Sequence, residues 1–451
     1  MAVDAAMPSR VVAHGLLKVR GAFMHWKRAY YVRDYLQSSL WIVPFVAIPL
    51  ELAAIRFLQY VDSRLGWSFL GIGAKGADEM LNAIVTATLS FVVFTFGSLL
   101  VALQVASGQM TPRIIATVLV RNNVVRYTAG LFIFTLLFAV SATNRIEDKV
   151  PQLVVFAAAC FGVLCFAAFL FLIDYAARLL RPISVLSHVG EAGLAVIGNV
   201  YPDLTAGPSL RMDRRRELEM PHRVIQHRGK SEIILAANLG ELVAEAERSN
   251  GVIEFVPQIG DFIAVDEPLF KLYGGAASLD DERLRSAIAF GPERTLGQDP
   301  TFAYRIIVDI ALKALSPAIN DPTTAVIAID QIHRLLRKAG SQNLRTDEIR
   351  DKSARLLMIF RTPNWEDFVH LAFTEIRHCG SQNLQIVRRL RAMIDNLIQT
   401  LPKHRHAVLL KELEMLDRDI DKHFDYPEDR ALARLGDSQG LGGASGAERM
   451  Q

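Results

Sequence analysis

Cysteine is scarce. Of 451 residues three are cysteine, Cys160 and Cys165 inside an apolar stretch and Cys379 far along a polar one, a placement that suggests no disulfide framework and fits a reducing compartment for the polar part. Charge of one sign is also lacking: the formal sum is +3, and no Lys/Arg run is interleaved with aromatics as a single-strand or RNA platform requires, so nucleic acid is not an expected partner. The common catalytic signatures are missing as well. There is no G-x-S-x-G, Walker-type phosphate loop, complete dinucleotide fingerprint or paired zinc-cysteine motif, so no enzymatic activity, cofactor or metal is read from the chain. Nor does a compact apolar run stand beside the start. Residues 1–39 instead carry Arg10, Lys18, Arg20, Lys27, Arg28 and Arg33, which argues against a cleavable signal peptide.

What the chain has is apolar length. The apolar residues concentrate before Asp174 and the charged ones mostly after it, so the average composition hides two solvents. A helix crossing a bilayer needs about 20 mostly apolar residues, because every backbone group must be bonded internally where water is absent. Four stretches qualify, at residues 40–58, 83–106, 124–143 and 151–173. The first is interrupted by Pro44, Pro49, Glu51 and Arg56, which would kink it or open it to neighbouring helices. Basic residues mark the cytoplasmic connections: those of the first segment, Arg113 and Arg121 after the second stretch, and Arg178 and Arg181 after the fourth. The opposite links balance Arg64 and Lys75 against Asp62, Asp78 and Glu79, and Arg145 and Lys149 against Glu147 and Asp148. The expected protein is therefore multi-pass, with the lipid bilayer as its partner and both termini cytoplasmic.

The fold class that follows is an α-helical membrane domain of four transmembrane helices plus a cytoplasmic α+β domain, with a small barrel-sandwich-like β unit and a helical C-terminal region. Residues 1–39 form a basic N-terminal segment, read either as an interfacial helix on the anionic leaflet or as a helix packed on the soluble domain. Residues 40–181 hold the four spans, and 182–230 a connecting helix and a polar linker containing Arg214, Arg215 and Arg216. Residues 231–278 form a small β-rich unit, with a short helix from Leu239 to Arg248 and two strands around the Gly260-Asp261 turn. Residues 279–431 read as helical, and 432–451, rich in Gly, Ser and Ala, as a disordered tail.

Two groups of residues are candidates for chemistry. On the second apolar helix, Thr86, Ser90, Gly97, Gln104 and Gly108 fall within a narrow stripe at about 100° per residue. Such a stripe serves either as a packing seam, where small residues allow close approach, or as the lining of a water-filled pathway. Glu51 is a candidate intramembrane charge that faces protein or water if it lies within the bilayer. The second group sits in residues 293–326, ERTLGQDPTFAYRIIVDIALKALSPAINDPTTAV. Asp299 before Pro300 and Asp321 before Pro322 are helix-start signals, a capping carboxylate ahead of a proline at the first helical position. Glu293, Arg294, Gln298, Asp299, Asn320 and Asp321 are thus a candidate ligand or structural motif. Oxygen ligands for a hard cation are available there, but at a spacing that matches no known loop, and capping explains them better. Glu366, His370 and His378 share a helix face, which an amphipathic helix explains without a metal.

The segment VALQVASGQMTPRI, with the pieces ERT, QDP and ALSPAINDPTTAV, resembles the bacterial membrane-protein family known as domain of unknown function 2254, over residues 38–430. The resemblance implies several membrane helices and a cytoplasmic domain and carries no activity with it. Gly108 stands where the resemblance leads one to expect serine, and Ala303 where it leads one to expect glycine. The stretch GVIEFVPQIGDFIAVDEPLFKL also resembles half of a biotinyl/lipoyl-type barrel-sandwich; it lacks a Met-Lys-Met-like attachment site, so the likeness implies shape alone. Two functions follow from these readings. One is an oligomeric channel or transporter-like protein, a homo-oligomer with a cytoplasmic gating or sensing domain. The other is a membrane-anchored sensor or scaffold that docks a soluble partner not named by the sequence.

Overall fold

The computed structural model describes residues 25–65, 71–109, 123–146, 150–179, 181–204, 218, 220–344 and 347–443. Two compact units emerge: a helical unit of residues 33–185, and a mixed unit of residues 1–32 and 186–451. Arg113, Arg121 and the Arg214–Arg216 series lie outside the described residues, as do residues 1–24 of the basic segment.

The helical unit contains α2 (Ile42–Leu65), α3 (Ala74–Gln109), α4 (Asn123–Thr143) and α5 (Gln152–Leu179). Each covers one of the expected apolar stretches. They are helices because long apolar runs can satisfy their backbone only internally where no water reaches. Pro49 is accommodated inside α2. The α4 helix packs on α2, α3 and α5. It can do so because its small residues allow approach: a Cβ on Gly130 would lie 2.7 Å from Val43 Cγ1. A core of Ile55, Leu81, Phe138, Ala139, Val154 and Ala158 closes the end formed by the α2–α3 and α4–α5 connections. There Leu153 N donates to Asp62 Oδ1 (2.9 Å) and Gln152 Nε2 to the Ile72 carbonyl (2.9 Å). The outward faces carry large apolar side chains such as Val93, Leu100, Val163 and Phe171, all more than half exposed. Such continuous apolar exposure suits lipid contact rather than water.

A fifth helix, α6 (Pro182–Val200), is also long and apolar enough to cross a membrane, so five helices among the described residues meet that criterion where four were expected. Its pattern differs from the others. Leu186, Val189, Gly190, Gly193, Val196 and Ile197 are buried on one face while His188, Glu191 and Asn199 are exposed, the periodicity of a helix lying on a protein core. Within the mixed unit, Gly193 abuts Ala303 and Leu335, and Gly190 abuts Gln331. The close crossing at Gly193 leaves room for little more than a methyl group at position 303.

The mixed unit adds β1 (Arg223–Gln226), β2 (Glu232–Ala237), α7 (Leu239–Ser249), β3 (Gly251–Gln258), β4 (Phe262–Ile263), β5 (Pro268–Gly274), α8 (Asp281–Ser286) and β6 (Ile288–Gly291). These are followed by α9 (Pro300–Leu315), α10 (Pro322–Ser341), β7 (Glu348–Arg350), β8 (Leu356–Arg361), α11 (Trp365–Gly380), α12 (Leu384–Thr400), α13 (His406–His423) and α14 (Pro427–Ala433). One sheet has the order β1-β5-β3-β8-β7 and a second the order β4-β2-β6. All pairings are antiparallel except β3 with β8, where Ile253 faces Met358 in parallel register. A parallel pair needs a long crossover, and α9 and α10 supply it. Ile225, Ile234, Leu242, Ile253, Phe255, Phe270, Leu272 and Met358 form the core of this region. Each fully buried large side chain there contributes on the order of 1.5–3 kcal/mol.

Three boundaries are corrected by this architecture. β1 pairs with β5, so the β unit begins before residue 231. The stretch 279–431 is not purely helical: it contributes β6, β7 and β8, and β8 completes the sheet begun by β3. These strands are short, and the strongly periodic helices around them hide their signal. Finally, residues 434–443 are ordered. Arg388, 2% exposed, donates to the carbonyls of Leu435 and Gly442 (3.0 and 3.1 Å), and Asp437 accepts from the amides of Gln439, Gly440 and Gly442. Glycine permits this return because Gly440 sits at φ +71 against Val326 and Arg389. Residues 444–451 of the expected disordered tail lie outside the described residues.

The basic segment ends in α1 (His25–Ser38). Trp26 and Tyr30 pack on Leu235, Ala236 and Ala289 of the second sheet. Tyr31 Oη donates to the Phe290 carbonyl and accepts from its amide, at 2.6 and 2.9 Å. Lys27 Nζ lies 5.4 Å from the Phe290 ring centroid, and burial lowers its pKa against the opposing pull of Glu232. Of the two readings of this segment, packing on the mixed unit describes residues 26–31.

Candidate functional site

The stripe on α3 points away from the rest of its own unit. Thr86, Ser90, Gly97, Gln104 and Gly108 are exposed, and a Cβ at Gly97 or Gly108 would meet nothing within 4 Å among the described residues. Half a turn round the helix, Thr88 and Thr95 are 1% and 7% exposed. Phe91 stacks on Phe169 at 4.5 Å on the covered side. The Thr86 and Ser90 hydroxyls donate to the carbonyls one turn back, Asn82 (2.9 Å) and Thr86 (2.8 Å). Among the described residues, the stripe is not a seam between helices of one chain.

Glu51 sits on the opposite kind of surface. It is 2% exposed, one turn from the buried Ala47 and Ile55 on the same face of α2, and its Oε1 has no hydrogen-bond partner among the described residues. A buried carboxyl without full compensation is costly. Such groups in membrane helices face the protein interior and mark functional positions by default. Arg56, five residues on, is exposed.

The residues of the 293–321 stretch do not converge. Asp299 caps α9, its Oδ1 accepting from the amides of Thr301 and Phe302 (3.0 and 3.2 Å). Asp321 caps α10, accepting from the Thr324 amide (3.0 Å) and hydroxyl. The two stand at opposite ends of α9, a helix of 16 residues, roughly 24 Å at 1.5 Å per residue. Asn320 is exposed at φ +49 in the break between the helices, a left-handed position that asparagine tolerates. Glu293 is exposed. Arg294 approaches Asp299 Oδ2 at 3.8 Å. Glu366, His370 and His378 are exposed along α11, with His370 Nδ1 3.4 Å from Glu412. Among the described residues no three His, Cys, Asp or Glu side chains are grouped to hold a metal ion.

Asp299 is nevertheless unlike an ordinary cap. It is 2% exposed, its Oδ2 has no hydrogen-bond partner among the described residues, and it presses on Gly260, where φ is +93 and a Cβ would collide with the carboxylate. Burial pushes its carboxyl above the usual range, opposed by the Thr301 hydroxyl and Arg294. The Tyr201 phenol is likewise pushed up by burial. Tyr201 Oη donates to the Pro363 carbonyl at 2.9 Å, and its ring packs edge-on to Phe368, 6.2 Å away.

On either side of Asp299, Gln298 and Pro300 line a cleft of about 490 Å³ within the mixed unit. Trp26 of α1 and Asn199 near the end of α6 contribute to it, as do Asn238 ahead of α7, Gln258 at the end of β3, and Arg361 and Thr362 at the end of β8. Asn238 is committed to capping: it accepts from the Glu241 amide and donates to the Glu241 carboxylate. Gln298 Oε1 accepts from Ala237 N at 3.0 Å, which leaves its NH2 group as donor. Of these lining residues, Gln298 alone was among the candidate ligand residues read from the sequence. Trp26, Asn199, Gln258 and Arg361 come from four separate elements, and no local pattern links them.

Comparison with known proteins agrees with the apolar helices. The family described as Predicted membrane protein (DUF2254) matches residues 37–396. An uncharacterized protein of Mycobacterium tuberculosis and one of Mycobacterium bovis are each 23% identical to the chain over 421 residues, covering 89% of it and 80% of the relative. No solved structure matches the chain. Because the family match spans most of the chain and includes α2 to α5 as well as the capped α9–α10 segment, this protein belongs to the DUF2254 family of membrane proteins.

Proposed function

We propose that this is an oligomeric channel or transporter-like protein of the bacterial inner membrane, in which α3 lines the pathway and a cytoplasmic mixed unit gates or senses. What carries the reading is the outward stripe of Thr86, Ser90, Gly97 and Gln104. Polar positions aligned on the uncovered face of a membrane helix call for water or a second chain. Copies of the chain arranged with these faces inward supply both. Four helices, α2 to α5, cross the membrane, and α6 lies outside it, because its buried face packs on α9 and α10 and its other face carries His188 and Glu191. Both termini are then cytoplasmic, as the basic residues around α1 and after α5 favour.

The test is cysteine access in a variant whose three native cysteines are replaced. Single cysteines at Ser90 and Gln104 should react with small water-soluble thiol reagents in the membrane-embedded protein, and reconstituted vesicles should show ion flux blocked by the modification. A cysteine at Thr88, on the covered face, should stay inert. Protection at both Ser90 and Gln104 in the assembled protein overturns the pathway reading. That result would favour a membrane-anchored sensor or scaffold, a reading supported by the hydroxyls of Thr86 and Ser90, which bond their own helix and need no water.

A further inference from the structure

The cleft of the mixed unit has a chemistry that the transport reading does not use. Among the described residues that line it, the cation is Arg361, exposed at the end of β8 and without an ion-pair partner, and none is a carboxylate. Arg361 faces Gln258 in the parallel register of β3 and β8. The carboxamides of Gln258 and Asn199 have no hydrogen-bond partner among the described residues, and Gln298 keeps its NH2 group free while its oxygen holds Ala237 N. Trp26, stacked on Tyr30 and packed on Leu235, Ala236 and Ala289, also lines the cleft.

Each part matches a part of one ligand class. A carboxamide offers a donor beside an acceptor, the complement of a nucleobase edge. An indole offers a plane on which a base stacks. A guanidinium free of carboxylates pairs with phosphate oxygens, two at a time. The volume, about 490 Å³, falls within the range of roughly 300–1,000 Å³ typical of small-molecule sites. We propose that this cleft is a nucleotide-binding site. The base stacks on Trp26 and is read by the carboxamides of Gln298, Gln258 and Asn199, and the phosphate pairs with Arg361. An inorganic anion alone would leave the carboxamides and indole unused, and a neutral nucleoside would leave Arg361 unused. The stripe on α3 plays no part in the argument, so flux and nucleotide binding stand or fall separately.

The test is calorimetric titration of the full-length protein in detergent with AMP, GMP, cyclic AMP and cyclic GMP, with inorganic phosphate and the nucleosides alongside. At least one nucleotide should bind saturably, with its nucleoside and inorganic phosphate each tenfold weaker or worse. Arg361→Glu should weaken that binding tenfold or more without moving the melting temperature, since the side chain is exposed. Gln258→Glu, which puts a carboxylate opposite Arg361, should do the same and serves if the first variant does not fold. Binding should quench tryptophan fluorescence in the wild type and not in Trp26→Phe. Absence of saturable binding by all four nucleotides to the folded protein overturns the proposal. So does binding unchanged by both charge variants, or phosphate binding as tight as the best nucleotide.

Discussion

At the scale of single residues, Asp299 shows how one side chain holds two roles in tension. As a cap it satisfies the Thr301 and Phe302 amides; as a buried carboxyl it resists ionisation. A carboxyl whose folded pKa lies above its unfolded value binds more proton in the folded chain, so stability falls as pH rises through that interval and the penalty is complete above it. Asp299→Asn keeps the capping oxygen and removes the charge. Its melting temperature near neutral pH should equal or exceed that of the wild type, with a smaller fall as pH rises from the carboxylate range. Asp299→Ala, which also removes the charge, should be about 1 kcal/mol less stable than Asp299→Asn at every pH through the missing cap. Thermal melts of both variants across that range check this. If Asn were as damaging as Ala, the pair with Arg294 would be the stabilising element. The Asp-Pro signal made the cap legible in the sequence. The collision with Gly260 was not, since residues 260 and 299 lie far apart in sequence and meet only in the folded unit.

At the scale of elements, glycines on two membrane helices make opposite forecasts. Gly130 lets α4 approach α2, where a Cβ would press on Val43 from 2.7 Å. Gly130→Val should therefore destabilise the detergent-solubilised protein by roughly 1–3 kcal/mol through overpacking. Gly97 meets nothing within 4 Å among the described residues, so Gly97→Val should leave the melting of the monomeric protein unchanged and alter only assembly or flux. Melting curves beside size-exclusion profiles separate the two, and a Gly97→Val monomer as unstable as Gly130→Val would contradict the outward placement. Periodicity placed both glycines on their helices. Which face α3 leaves uncovered depends on how α4 and α5 settle against it, and no single helix carries that information.

At the scale of the molecule, the count of crossings decides the topology. Length and composition admit α6 as a fifth span, and an odd number would put the two termini on opposite sides. The contacts of Gly190 and Gly193 within the mixed unit argue for four. Reporter fusions at Gly71 and Arg145 should read as external, and fusions at Arg181 and after Tyr201 both as internal. Opposite signals on the two sides of α6 would establish five crossings and turn the mixed unit outward.

The sequence by itself determined what depends on neighbours along the chain. The apolar runs of α2 to α5 are local because a helix in lipid bonds its own backbone. The Asp299-Pro300 and Asp321-Pro322 starts are local because a cap reaches only two or three residues ahead. Tertiary structure alone decided what depends on distant partners. β3 finds β8 across about a hundred residues. The glycine-rich tail is held because Arg388, buried on α12, needs the Leu435 and Gly442 carbonyls. The cleft gathers Trp26, Gln258 and Arg361 from three elements and Gln298 from the turn before α9. In each case the controlling free energy is the desolvation of a group far away in sequence, which becomes defined only when the chain has folded around it.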